Sequence, residues 1–238
     1  MILLALAFFL FPSLVFSQSL PDWYIPLREA VYEQQLSADA VAPIYRDITN
    51  RARTSLAGYD QYLILSRCEF MMGKAYLNEE RKNEASAHFE EGMKSAEESL
   101  KIRETADAWV MLAENLSQNI ASRSSNVFYA MANGLNVEKY SKNALSFNSR
   151  NAAAQYMIAA RWVFAPAPFN NIRKGIEMMS AIIDSADMGK DDTFNVYSAL
   201  GYAYIQQRNN TQARIWLNRS LEIYPTNKYA LSMLSGLN

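Results

Sequence analysis

The sequence predicts an all-α fold, an α-α superhelix of about four degenerate helical hairpins behind an N-terminal helical cap. Three observations predict it. Apolar residues recur at the three- and four-residue spacing of amphipathic helices, and no segment shows the alternation typical of a strand. Residues 194–227 have the pattern of one complete helical hairpin. Earlier segments repeat its order of large and small residues.

Each residue of the hairpin at 194–227 has a physical role. Gly201 on the first helix has no side chain, so the second helix can approach closely, and Ala213 is the expected small partner across that contact. Pro225 ends the unit, because proline lacks the N–H that a continuing helix needs. Larger residues fill the remaining space: Tyr197, Leu200 and Tyr204.

This pattern resembles the tetratricopeptide repeat (TPR), whose units of ~34 residues carry Leu-Gly and Tyr on the first helix, Ala on the second and Pro after it. Met72-Gly73 and Tyr76 take the first-helix places of an earlier unit. A segment over 122–134 is interpreted as an insertion, so the next helix is expected only near Val137. The register predicts units near 66–103, 106–149, 152–187 and 194–227.

Two regions precede the repeat array, which is assigned to residues 61–238. Residues 18–60 are interpreted as capping helices on the first repeat, because the end units of an array must cover an apolar face. Residues 1–17 resemble a signal peptide: an unbroken apolar run, too short for the ~20 residues of a bilayer span, ends at the small residue Ser17. An uncleaved anchor is the alternative. No Cys lies near Ser17 for lipid attachment, so a secreted or periplasmic protein without a membrane span after cleavage is expected.

Composition and motifs give no indication of catalysis. A net charge of -1 provides no general attraction to nucleic acid. The single cysteine, Cys68, is expected to be a buried inert thiol, and the single histidine, His88, a solvent-side residue. No metal-ligand spacing or phosphate-binding loop is present, so no enzyme, cofactor or metal is predicted. The charged run 79–104 is interpreted as a solvated helix face with Glu90–Lys94 and Glu97–Lys101 pairs.

The TPR resemblance implies a concave groove lined by the first helices. Aromatic, amide and mixed charged residues there would suit a peptide or protein partner, and ordinary half-buried packing is the alternative. Basic residues in one unit are followed by acidic ones in the next, which argues against a dedicated clamp for peptide C-termini and leaves mixed electrostatic pairing open. The predicted groove residues are Arg67, Phe70, Lys74, Asp107, Glu114, Gln118, Tyr156, Phe164, Tyr202 and Gln206.

A stiff loop follows the first helix of the predicted unit at 152–187. Pro166 and Pro168 forbid helix, and Phe169 follows them. The loop is interpreted either as a ligand-facing lip or as a spacer between two offset helices.

Two functions follow from these expectations. The first is a non-enzymatic periplasmic protein that binds a protein or peptide in its groove. The second rests on layout: the chain also resembles the T component of tripartite (TRAP) transporters, which implies a solute-binding protein as partner and a small apolar ligand.

Overall fold

The computed structural model describes residues 20–237, so the signal-peptide prediction for residues 1–17 lies outside it. The described chain is helical, has no strand, and contains one isolated bridge between Asn151 and Asp187. The all-α prediction is confirmed. A 3-10 helix, Asp22–Tyr24, precedes the α-helices, which are α1 (Ile25–Glu33), α2 (Ala38–Ser55), α3 (Gly58–Leu77), α4 (Lys82–Ile102), α5 (Ala106–Ser122), α6 (Val127–Phe147), α7 (Ala152–Phe164), α8 (Ile172–Ser185), α9 (Lys190–Gln206), α10 (Asn210–Ile223) and α11 (Lys228–Ser235).

The helices from α3 to α10 form four consecutive hairpins. In each one the first helix packs on the second: α3 on α4, α5 on α6, α7 on α8 and α9 on α10. The second helix then packs on the first helix of the next hairpin. The first helices also contact one another in order, α3 with α5, α5 with α7 and α7 with α9. The solenoid predicted from the sequence is therefore the observed architecture.

Glycine sets the close approach within two of the hairpins. A Cβ placed on Gly73 would lie 2.5 Å from a ring carbon of Phe89, and one on Gly201 would lie 2.6 Å from Cδ2 of Leu217. In both hairpins the two residues are sixteen positions apart, so the contact is a repeated feature of the fold. The close approach at Gly201 was predicted correctly, but the wrong partner was predicted: Leu217, rather than Ala213, lies against it.

Asparagine begins five of the helices. Asn126, Asn151, Asn171, Asn209 and Asn227 are the N-caps of α6, α7, α8, α10 and α11, and each side-chain oxygen accepts the backbone N–H three residues further on. The N···O distances run from 2.9 to 3.1 Å. These caps satisfy donors that the first turn of a helix leaves unpaired.

Two boundaries differ from those predicted. The first helix of the first hairpin begins at Gly58 rather than near 66, and α6 begins at Val127, inside the predicted insertion. The first half of α6 exposes apolar side chains, with Phe128 at 86% exposure. The charged pairs on α4 are also spaced differently. Glu91–Lys94 and Glu98–Lys101 contact at i,i+3, in place of the predicted i,i+4 pairs.

The N-terminal helix α1 packs across the array and not only on its first repeat. Leu27 and Val31 are buried, and α1 contacts α2 and α3. Tyr32 at its end is buried between rings of the last hairpin: it stacks on Tyr224 with centroids 4.8 Å apart and meets Phe194 edge-on at 5.5 Å. One apolar core therefore contains residues from both ends of the described chain.

Candidate functional site

Four charged side chains of the predicted groove lie at two levels on neighbouring helices. Arg67 and Lys74 are seven residues apart on α3, and Asp107 and Glu114 are seven apart on α5. Seven residues are close to two helical turns, roughly 10 Å along the axis. The two residues on each helix therefore lie on the same face of that helix. A basic residue of α3 corresponds to an acidic residue of α5 at each of the two levels.

The first charge level, Arg67 with Asp107, is closed. Arg67 Nη2 lies 3.6 Å from Asp107 Oδ2, and both side chains are half-buried. Burial acts to lower the pKa of Arg67, but the negative charges of Asp107 and Glu114, together with the tyrosines Tyr24 and Tyr59, outweigh it, so the pKa is raised. This pair neutralises itself and stabilises the packing of α3 on α5.

The second charge level, Lys74 with Glu114, is open in the sense that the two side chains do not pair with each other. Within residues 20–237, neither side chain has a hydrogen bond or an ion pair. Lys74 Nζ instead lies 3.9 Å from the centroid of the Tyr32 ring and 5.5 Å from that of Phe70. Burial lowers the pKa of Lys74 to about 8. Burial, helped by the charge of Asp192, raises the pKa of Glu114 to about 7. Both are half-buried, so space accessible to water still reaches them.

The start of α9 adds two carboxylates to this interior. Asp191 Oδ1 accepts a 2.6 Å hydrogen bond from the Tyr224 hydroxyl and lies 3.6 Å from Arg28 Nε. Asp192 Oδ2 accepts the backbone N–H of Gly189 at 3.0 Å, and burial raises the pKa of Asp192. Both carboxylates are thus engaged, in contrast to Glu114.

The terminal closure joins residues 32–35 to residues 224–229. The Asn227 amide donates to the Tyr32 carbonyl at 2.7 Å. The Thr226 hydroxyl donates to the Glu33 carbonyl at 2.8 Å. Gln34, in the left-handed conformation at the end of α1, accepts the backbone N–H of Lys228 at 2.8 Å. The closure holds α1 over the inner face of the first helices.

The remaining predicted groove residues separate into an inner aromatic group and peripheral ones. Phe164 stacks on Tyr202 with centroids 5.1 Å apart. Tyr156 interacts electrostatically with Glu114 and Tyr229, and Tyr229 does so with Tyr202. Gln118 is half-buried and Gln206 is exposed. Phe70 does not line an open groove, because it is 6% exposed and belongs to the same apolar core as Leu27 and Val31 of α1.

The proline loop lies at the surface. Pro166, Pro168 and Phe169 are exposed, and the Phe169 N–H donates to the Pro166 carbonyl at 2.9 Å. The next turn returns to the helix end, where the Asn171 N–H donates to the Trp162 carbonyl at 2.9 Å. Both roles predicted for this loop, lip and spacer, stay open.

His88 is not on the solvent side, and that prediction was wrong. It lies half-buried with its Nδ1 2.6 Å from Glu69 Oε2, stacked on the Tyr76 ring at 5.4 Å. The Tyr45 hydroxyl donates to the other oxygen of the buried Glu69 at 2.5 Å. The cluster joins α2, α3 and α4 and satisfies the Glu69 carboxylate, which gives it a structural role.

Other chemical features are few. Cys68 is buried, as predicted, with 0% exposure, and burial raises the pKa of its thiol. Among residues 20–237 no group of three or more His, Cys, Asp or Glu side chains is arranged to hold a metal ion. None of the helices over the same range has both the length and the apolarity that crossing a membrane requires.

Stacked hairpins with an inner wall of first helices define an α-solenoid repeat protein. The tetratricopeptide repeat family matches residues 194–227, which form α9, α10 and the turn after them. One solved structure that the chain matches is YrrB, described as a TPR protein with an unusual peptide-binding site. The match covers 87% of this chain and 96% of YrrB, at 17% sequence identity and a TM-score of 0.37. None of the curated proteins compared with this chain matches it.

Proposed function

We propose that the chain is a non-enzymatic binding protein that takes part of a partner protein or peptide on the inner face of its first helices, in the periplasm. The observation that carries this proposal is the open second charge level. Lys74 and Glu114 are held in the interior without a hydrogen bond or ion pair, beside the rings of Tyr32 and Phe70. Both side chains are half-buried, and charges that are partly withdrawn from water are normally paired, so a pair left open is a reason to expect a ligand.

Helix α1 limits what can bind. It buries Leu27 and Val31 over the inner face, so an extended helix cannot lie along the whole groove while α1 is in place. A partner would therefore insert a chain end or a few side chains next to α1. The aromatic rings of Tyr156 and Tyr202 would supply contact area at low cost in side-chain entropy.

A pair of photo-crosslinking proteins tests this proposal. One carries a photoreactive phenylalanine in place of Tyr202 on the inner surface, and the matched control carries it in place of Phe128 on the exposed side of α6. We expect a specific partner from bacterial envelope extract to be crosslinked from position 202, and Tyr202→Ala to weaken binding of that purified partner about tenfold, which corresponds to ~1.4 kcal/mol. Crosslinking from position 128 alone, or binding that Tyr202→Ala leaves unchanged, would contradict the inner-face assignment.

A second candidate is a subunit like the T component of TRAP transporters, associated with a solute-binding protein and handling a small apolar ligand. A cavity of about 440 Å³ favours it. The cavity lies between α1, α2, the end of α3 and α11. Its lining is mixed: it combines apolar residues (Val31, Leu36, Val41 and Leu77) with charged ones (Glu79, Glu80 and Lys228). Genes for a solute-binding protein and a permease beside this gene would support this function. Native mass spectrometry that detects no bound apolar molecule, together with an unrelated gene neighbourhood, would exclude it.

A further inference from the structure

At the second charge level neither Lys74 nor Glu114 forms an ion pair or hydrogen bond within the described chain, although each lies in electrostatic range of the other. Arg67 and Asp107, one level away on the same two helices, reach 3.6 Å, whereas Lys74 and Glu114 do not approach within ion-pair distance. Lys74 Nζ lies instead 3.9 Å from the centroid of the Tyr32 ring of α1, and Tyr32 packs in turn against Phe194 and Tyr224.

The surroundings oppose a ligand of a single charge. An anion on Lys74 would face Glu114 and the carboxylates of Asp191 and Asp192, which act on the same interior. A cation on Glu114 would face Lys74 and Arg67. A molecule that carries both charges meets neither penalty, because each end lies nearest to the group of opposite sign.

We propose that Lys74 and Glu114 form a binding site for a small zwitterion of the α-amino acid class, whose carboxylate pairs with Lys74 and whose ammonium pairs with Glu114. The inference rests on the proposed function, and it specifies the chemistry of the ligand at that inner surface. Charge-assisted hydrogen bonds to both ends are the strong kind, and they form where burial keeps water competition low. The ring of Tyr156 is half-buried and interacts electrostatically with Glu114, so it predicts a preference for apolar or aromatic amino acid side chains.

Titration calorimetry on the purified full-length protein tests the site with defined probes. The probes are leucine and phenylalanine, the dipeptide Leu-Leu, and two singly charged analogues of leucine: isopentylamine, without the carboxylate, and 4-methylpentanoate, without the ammonium. We expect an amino acid to bind at least tenfold more tightly than either analogue. If the dipeptide binds as well as the free amino acid, the ligand is a peptide and not a free amino acid, and the free amino acid assignment is overturned.

Three variants separate this site from general effects. Glu114→Gln and Lys74→Met each keep the approximate size of the side chain and should weaken amino acid binding at least tenfold. Glu91→Gln, on the exposed face of α4, should leave it unchanged. Circular dichroism checks that each variant is folded. No calorimetric binding of either amino acid, or equal binding in wild type and both inner variants, overturns the zwitterion site. If crosslinking from position 202 still returns its partner in that case, the proposed function stands without it.

Discussion

The side-chain amide of Asn227 donates to the backbone carbonyl of Tyr32 across 195 residues of sequence, with 2.7 Å between Nδ2 and O. The same residue caps α11, since its Oδ1 accepts the backbone N–H of Ala230 at 3.0 Å. Asn227 is 2% exposed, so water cannot replace either bond. One buried side chain thus joins the start of the last helix to the end of the first.

Asn227→Ala should destabilise the protein by about 2–3 kcal/mol, because it removes a helix cap and leaves the buried Tyr32 carbonyl without its donor. Asn209→Ala is the matched control. Asn209 caps α10 through the Gln212 N–H at 3.1 Å and lies at the surface, so its loss should cost only about 1 kcal/mol. Urea unfolding measures both. Equal losses in the two variants would show that the Tyr32 contact contributes nothing.

Glu114→Gln should stabilise the unliganded protein at pH 8 and have little effect at pH 5. The folded protein raises the pKa of Glu114 to about 7 from its usual value near 4.5, so folding favours the protonated form. The free energy of unfolding is therefore not reduced by Glu114 below pH 4.5, the pKa of this group in the unfolded chain, and it falls as the pH rises toward 7. The expected gain at pH 8 is on the order of 2 kcal/mol.

Several charged and titratable groups surround Glu114 and contribute to its pKa. Arg67 and Lys74 act on it from α3 and Asp191 and Asp192 from α9, with the tyrosines Tyr24, Tyr32 and Tyr156 on the remaining sides. Melting temperatures of wild type and Glu114→Gln at half-unit pH steps give the difference, and Glu91→Gln serves as the surface control. A difference that does not change between pH 5 and pH 8 would mean that Glu114 is not held in a buried environment.

Gly73→Ala should destabilise the protein by about 1–3 kcal/mol, because the new methyl group would overlap the ring of Phe89. Phe89 has 0% exposure, so its ring has little room to move. Gly134→Ala on α6 is the control: no atom lies within 4 Å of its Cβ position, and alanine favours helix by up to about 1 kcal/mol. Thermal unfolding should therefore move in opposite directions for the two variants. A stabilising Gly73→Ala would show that the α3–α4 contact is loose.

Cys68 should fail to react with a thiol reagent in the native protein and react fully in 6 M guanidinium. Its side chain is buried, and burial raises the pKa of the thiol, so little thiolate forms near neutral pH. The rate of reaction with an aromatic disulfide reagent at pH 8 measures this, and the denatured protein gives the upper limit. Fast native labelling would mean that α3 opens locally.

The hairpins were predictable because their signals are local. Leu200-Gly201 with Tyr204, and Met72-Gly73 with Tyr76, carry the pattern within single helices, and the seven-residue spacing of Arg67 and Lys74 follows from it. The start of α6 differs from the prediction because residues 122–134, which include Gly134, are interpreted from the sequence as an insertion into the ~34-residue period. A single glycine costs a helix only about 1 kcal/mol, and here the helix continues through it.

The covering of the inner face was not predictable in the same way. Tyr32 and Asn227 are separated by nearly the whole repeat array, and no periodicity in either segment points to the other. The repeat register did assign the charged side chains of α3 and α5 to the same groove wall. It could not indicate that Lys74 would lie over the Tyr32 ring, because that depends on a contact between distant segments.

The terminal closure makes assembly of this protein depend on synthesis order. Helix α1 leaves the ribosome long before Tyr224 and Asn227, the residues that bury Tyr32 and satisfy its carbonyl. Until they emerge, the apolar face of α1 is without its final neighbours, and contacts of such long sequence separation form slowly. Truncation before Asn227 would therefore damage the packing of α1 as well as remove α11.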